Sequence, residues 1–134
     1  MSREVAMGYG LLADAVMLLH FGFLVFVTLG GFLAWKWPKA WVVHLVAVVW
    51  GALVVNFPVE CPLTTAENYF HELAGEAGLP PAGFIDHYIE NVIYPEEYTV
   101  VLRWLVATVV LFSWAGVVWR LRRQRRDRSA ALAR

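Results

Sequence analysis

From Leu11 to Trp35 the chain contains only two ionisable side chains, Asp14 and His20. A run this long and this apolar matches the ~20 residues that a helix needs to cross a bilayer. Two more runs follow. Trp41 to Phe57 is shorter and is stopped by Pro58, whose ring cannot continue a helix. The third, about Tyr98 to Trp119, carries Arg103 near its start. Composition agrees: 60% of the residues are hydrophobic and 16% charged, against about a quarter charged in soluble domains. These features predict a single-domain, all-α integral membrane protein. It has three transmembrane helices, over about 11–35, 41–57 and 98–119, and a short helical extracytoplasmic cap in 58–97. They exclude a soluble enzyme, a nucleic-acid-binding domain and a disordered tail. The first run is too long for the apolar region of a signal peptide, and no small-x-small site follows it.

Basic residues set the expected orientation, because they collect on the cytoplasmic side of membrane spans. Lys36 and Lys39 lie in the turn between the first two spans, and seven arginines lie in 120–134. On the other side there is only Arg3. The N-terminus and the 58–97 segment are therefore expected outside the plasma (bacterial inner) membrane, and the turn and the Arg-rich tail inside. Trp35, Trp37, Trp41 and Trp119 would form an aromatic belt at the inner interface. The tail reads first as a stop-transfer and orientation signal, with an anionic-lipid site as the alternative.

The 58–97 segment is acidic. Thr64-Thr65-Ala66-Glu67 has the pattern of a capping box and predicts a helix from about Thr65 to Ala77, ended at Gly78. A second helix, about Gly83 to Tyr94, would place Phe84, Ile85, Tyr88, Ile89, Val92 and Ile93 on one face. Asp86, His87, Glu90 and Asn91 would lie on the other. It is too short to span, and its polar face is acidic rather than basic, so it is expected to cap the bundle or dock a partner.

Ionisable groups within spans call for partners. Asp14 and Arg103 lie at similar depth and are expected to pair. His20, expected near mid-membrane, and His44, expected near the cytoplasmic end level with Thr28 and Ser113, are too far apart to share one metal ion. Each is expected to bond a hydroxyl or carbonyl of a neighbouring helix. Gly30, Gly31, Gly51 and Gly116 are expected to allow close helix approach. At the outer mouth, Asp14, Glu60, Cys61, Glu67, His87 and Arg103 are expected to form a polar network. Glu67 and His71 share a helix face. As an alternative, Cys61, Glu67 and His87 are candidate ligands for zinc or copper.

Several short stretches follow one another in order: Leu11 to Val16 with His20, Trp41 to Leu45, Cys61 to Thr64 with Glu67-Asn68, Gly83 to Tyr88, and Tyr94-Pro95. In these stretches the chain resembles a bacterial family of small membrane proteins catalogued as domain of unknown function 2784. The resemblance covers about Leu11 to Trp119. It implies a small multi-helix membrane protein and brings no established activity.

Three functions are compatible with these residues. The first is a non-catalytic accessory or assembly subunit of a larger membrane complex. The second is an extracytoplasmic metal, haem or thiol-redox protein built around Cys61 and His87. The third is a small transporter, which three spans can form only as an oligomer. No nucleophile–base pair, P-loop or zincin motif supports an enzyme. The expected partners are the lipid bilayer and a membrane protein or further copies of the chain, with no nucleic acid; no cofactor is assigned.

Overall fold

The computed structural model describes residues 2–80, 84–89 and 92–134, and for Asp86 the backbone alone. The described residues form five α-helices and no strand: α1 (Arg3–Leu33), α2 (Ala40–Asn56), α3 (Pro62–Ala74), α4 (Phe84–Tyr88) and α5 (Thr99–Leu132). A 3-10 turn at Glu96–Tyr98 leads into α5.

Local chemistry accounts for the helix ends. Ser2 caps α1 by accepting the Val5 N–H at 3.4 Å. The α1–α2 turn is closed by Trp37 N–H donating to the Leu33 carbonyl at 2.8 Å and Ala40 N–H donating to that of Trp37 at 2.9 Å. α2 ends at Asn56 because Phe57 precedes a proline and is extended, at φ −126° and ψ 156°.

The expected capping box does not form. Pro62 occupies the first turn of α3, where its fixed φ suits a helix start, so α3 begins before the threonines. Glu67 is thereby moved from the helix entrance to its middle, where it is buried. The helix also ends earlier than expected. Gly75, at φ 77°, adopts the left-handed conformation that a side chain disfavours. Its N–H donates to the Glu72 carbonyl at 3.0 Å, and the next N–H, of Glu76, donates to that of His71 at 2.9 Å.

The second cap helix is shorter than its pattern predicted. α4 has five residues; the expected start at Gly83 and the polar-face residues Glu90 and Asn91 lie outside the described residues. Val92 and Ile93 are exposed in a turn instead of lying against the bundle. Tyr94 precedes Pro95, which pushes the chain out of helical geometry.

α1 organises the molecule. α2 packs antiparallel to its C-terminal half, α5 packs parallel to that same half, and α3 lies along the N-terminal half in the most extensive helix contact. Glycines set the register. A Cβ at Gly31 would collide with Ser113 Oγ, and one at Gly116 would lie 2.6 Å from Trp35 Cε2. A Cβ at Gly30 would lie 2.8 Å from His44 and Phe26, whereas Gly51 makes only ordinary contact with Val27 at 3.9 Å. α5 does not stop at Trp119. Beyond it the sequence lacks glycine and proline and is rich in strong helix formers, so the arginine-rich tail is the last part of one 34-residue helix.

The distribution of polarity is inverted relative to a water-soluble protein. The largest fully buried side chains are His44, Glu67 and Ser113, while Trp104 is 72% exposed and Leu18 66%. α1 and the stretch Glu96–Leu132 are long and apolar enough to cross a membrane; α2 is a shorter apolar helix.

Candidate functional site

Two polar centres are built into the helices. The first joins α1, α2 and α5. His44, fully buried on α2, has Nε2 2.9 Å from the Val27 carbonyl and Nδ1 3.0 Å from Trp114 Nε1. A carbonyl can only accept and an indole N–H can only donate, so the His44 proton sits on Nε2. Close by, Trp35 Nε1 donates to the Ser113 carbonyl at 2.9 Å. Arg120 donates to the Trp35 carbonyl at 2.9 Å, with its guanidinium 5.1 Å from the Trp35 ring centre. His44 thus bonds a neighbouring helix's carbonyl, as the sequence suggested, and Ser113 lies beside it. The indole partners were not foreseen. The sequence places Trp35 with Trp37, Trp41 and Trp119 in an interfacial belt and gives Trp114 no role; only packing reveals which rings turn inward.

The second centre lies where α3 and α4 meet the N-terminal half of α1. Glu67 on α3 is fully buried, and its Oε1 accepts from Tyr88 Oη at 2.8 Å. His71, one turn on, has Nε2 3.7 Å from the same oxygen and donates from Nδ1 to Glu76 at 2.9 Å. On α1, His20 stacks on the Phe84 ring at 3.8 Å and 18°. Phe21 meets Phe84 edge-on at 4.9 Å, and Phe84 in turn lies 4.9 Å from Tyr88. Two buried polar atoms here, His20 Nδ1 and Glu67 Oε2, have no hydrogen-bond partner among the described residues. Burial, the hydrogen bond to Glu67, and the charges of Glu67 and Asp14 push the Tyr88 hydroxyl up to about 12. Asn68 secures the chain after α3 by accepting the Leu79 N–H at 2.6 Å.

This centre differs from the expected outer network. Glu67 belongs to it, and Cys61 is buried at the entrance to α3. Glu60 is exposed and only reaches Thr65 Oγ1 at 3.5 Å, and His87 is exposed beside the Tyr88 ring. Asp14 and Arg103 are exposed and do not pair; both ion pairs among the described residues belong to His71. The Gly31–Ser113 contact explains this. In that register Arg103 is level with Phe21, seven residues from Asp14 along α1, or ~10 Å. His20 is buried against the Phe84 ring. Among the described residues no neighbouring helix supplies a hydrogen bond to its Nδ1.

The alternative metal site is not assembled. Among the described residues no three histidine, cysteine, aspartate or glutamate side chains converge as ligands. Cys61, Glu67 and His87 are split between a buried helix entrance, a helix interior and an exposed face. The missing signal was Tyr88. It sits four residues after Phe84 on the apolar face, where a phenol passes for a packing residue, and nothing local indicates that its hydroxyl meets Glu67.

No curated protein and no solved structure matches the chain. A family model described as protein of unknown function (DUF2784) matches residues 10–119. The chain that carries these two centres therefore belongs to the DUF2784 family.

Proposed function

We propose that the protein is a three-span membrane protein, with its N-terminus and the α3–α4 cap outside the plasma membrane and the end of α5 in the cytoplasm. In this reading it serves as a non-catalytic accessory subunit of a larger membrane complex. The observation that carries the proposal is the arrangement of α2 and α5. Each packs on α1, and beyond the His44–Trp114 bond they have little contact with each other. Such a layer encloses no path for a solute, and it leaves broad apolar faces that include Trp104, Phe112 and Val46. Only 17% of the most apolar window of α1, and of the Glu96–Leu132 stretch, is buried within the chain. A core helix of a soluble protein is mostly covered, whereas a helix in lipid need not be. α2, at 17 residues, is at the lower limit for a span.

Topology is tested by placing a cysteine at Ser129 in a Cys61→Ser background. An impermeant thiol reagent should leave it unlabelled in intact cells, and labelling there refutes the orientation. Native mass spectrometry from a mild detergent tests the accessory role. The expected result is a different membrane protein bound at fixed stoichiometry and released by Trp104→Ala with Phe112→Ala. Detection of monomers or homo-oligomers alone refutes it.

A further inference from the structure

We infer that the face of α5 formed by Trp119, Arg122, Arg123 and Arg126 is a binding site for the headgroup of an anionic phospholipid. These residues, with Asp127, line one open recess. Their spacing of three and four residues puts them on a single helix face. The three guanidiniums have no carboxylate partner, since neither ion pair among the described residues involves an arginine. Asp127, which also lines the recess, forms no ion pair with them. Guanidinium forks match the paired oxygens of a phosphodiester. The Arg123 guanidinium lies 5.6 Å from the Trp119 ring centre, and Trp119 is 61% exposed, the setting of an interfacial tryptophan.

Position selects lipid over a soluble anion. Arg120 bonds the Trp35 carbonyl and so marks the level at which the α1–α2 hairpin ends. Arg122 to Arg126 lie two to six residues beyond that level, or ~3–9 Å along the helix. The headgroup layer on each side of a bilayer is about 5–8 Å thick. Arg128 and Arg134 project past it. The recess thus sits at the depth where phosphodiesters are held.

The inference rests on the membrane reading above, and its test separates the two. The full chain is titrated in mild detergent with phosphatidylglycerol or phosphatidylcholine, and bound lipid is read by native mass spectrometry. Wild type should retain phosphatidylglycerol in preference to phosphatidylcholine. Arg122→Gln with Arg126→Gln should weaken phosphatidylglycerol binding by about 25-fold, roughly fivefold for each arginine. Arg125→Gln with Arg128→Gln makes the same change in net charge on the other side of the helix and should have little effect. Equal losses in the two double variants overturn the site, because they indicate diffuse attraction to a basic helix. Equal retention of the two lipids, or displacement of lipid by millimolar inorganic phosphate, overturns it as well. Failure of the membrane reading is recognised differently: the chain would leave membranes without detergent.

Discussion

Gly31→Ala isolates the contact that sets the register of α1 against α5. The added methyl would collide with Ser113 Oγ and lie 2.8 Å from Ser113 Cβ and 3.1 Å from His44 Cε1. None of these atoms is the far end of a flexible chain: Ser113 is fully buried, and His44 is held by two hydrogen bonds. The helices must separate, at a cost of about 1–3 kcal/mol for an overpacked interface. Gly22→Ala on the same helix meets nothing within 4 Å. There the better helix propensity of alanine should give a gain of up to ~1 kcal/mol. That gain applies at both positions and cancels in the comparison, so Gly31→Ala should be less stable than Gly22→Ala by about 1–3 kcal/mol. Unfolding in mixed micelles of rising sodium dodecyl sulfate fraction, followed by helical circular dichroism, measures the difference. Ser113→Gly added to Gly31→Ala removes the obstructing atoms and should recover about 1 kcal/mol or more, despite the helix penalty of glycine. If Gly31→Ala and Gly22→Ala unfold alike, or Ser113→Gly recovers nothing, the helices do not touch there.

Three other expectations follow from the outer centre. In an alkaline absorbance titration one of the five tyrosines should ionise near 12, and Tyr88→Phe should remove that late component. Because this value is raised on folding, the Tyr88 contribution to stability is complete below about pH 10 and is lost as pH rises towards 12; a set of phenols titrating together near 10 refutes the burial. Gly75→Ala should cost about 1 kcal/mol or slightly more through backbone strain alone, since nothing lies within 4 Å of an added Cβ; unchanged amide exchange at the end of α3 would contradict it. Cys61, 7% exposed, should react slowly with a thiol reagent in the folded chain and rapidly once unfolded, and fast labelling of the folded chain would place the thiol at the surface.

Much of the architecture was legible in one dimension. Asn56-Phe57-Pro58 ends a helix by local sterics alone, and the apolar runs and the Lys-Trp-Pro-Lys turn define a helical hairpin without reference to any other contact. His44 could be matched with the level of Ser113 by counting from that turn. The cap was misread where two local signals competed. Thr64-Thr65-Ala66-Glu67 has the composition of a capping box, but Pro62 two residues earlier starts the helix first and sends Glu67 inward. The amphipathic pattern from Phe84 onward predicted a longer helix than the five residues that form.

The sequence by itself determined helix content, the hairpin and the segregation of basic residues, because hydropathy, proline sterics and charge act over a few neighbouring positions. Tertiary structure alone decided which polar groups meet. Whether Asp14 reaches Arg103 depends on an offset between two parallel helices, and that offset is set by glycine clearances at Gly31 and Gly116, far along the chain from either charge. Which group Glu67 accepts from depends on where Tyr88 falls, 21 residues away. A one-residue change in either packing register rotates a helix face by about 100°, so such pairings belong to the packed molecule rather than to any local pattern.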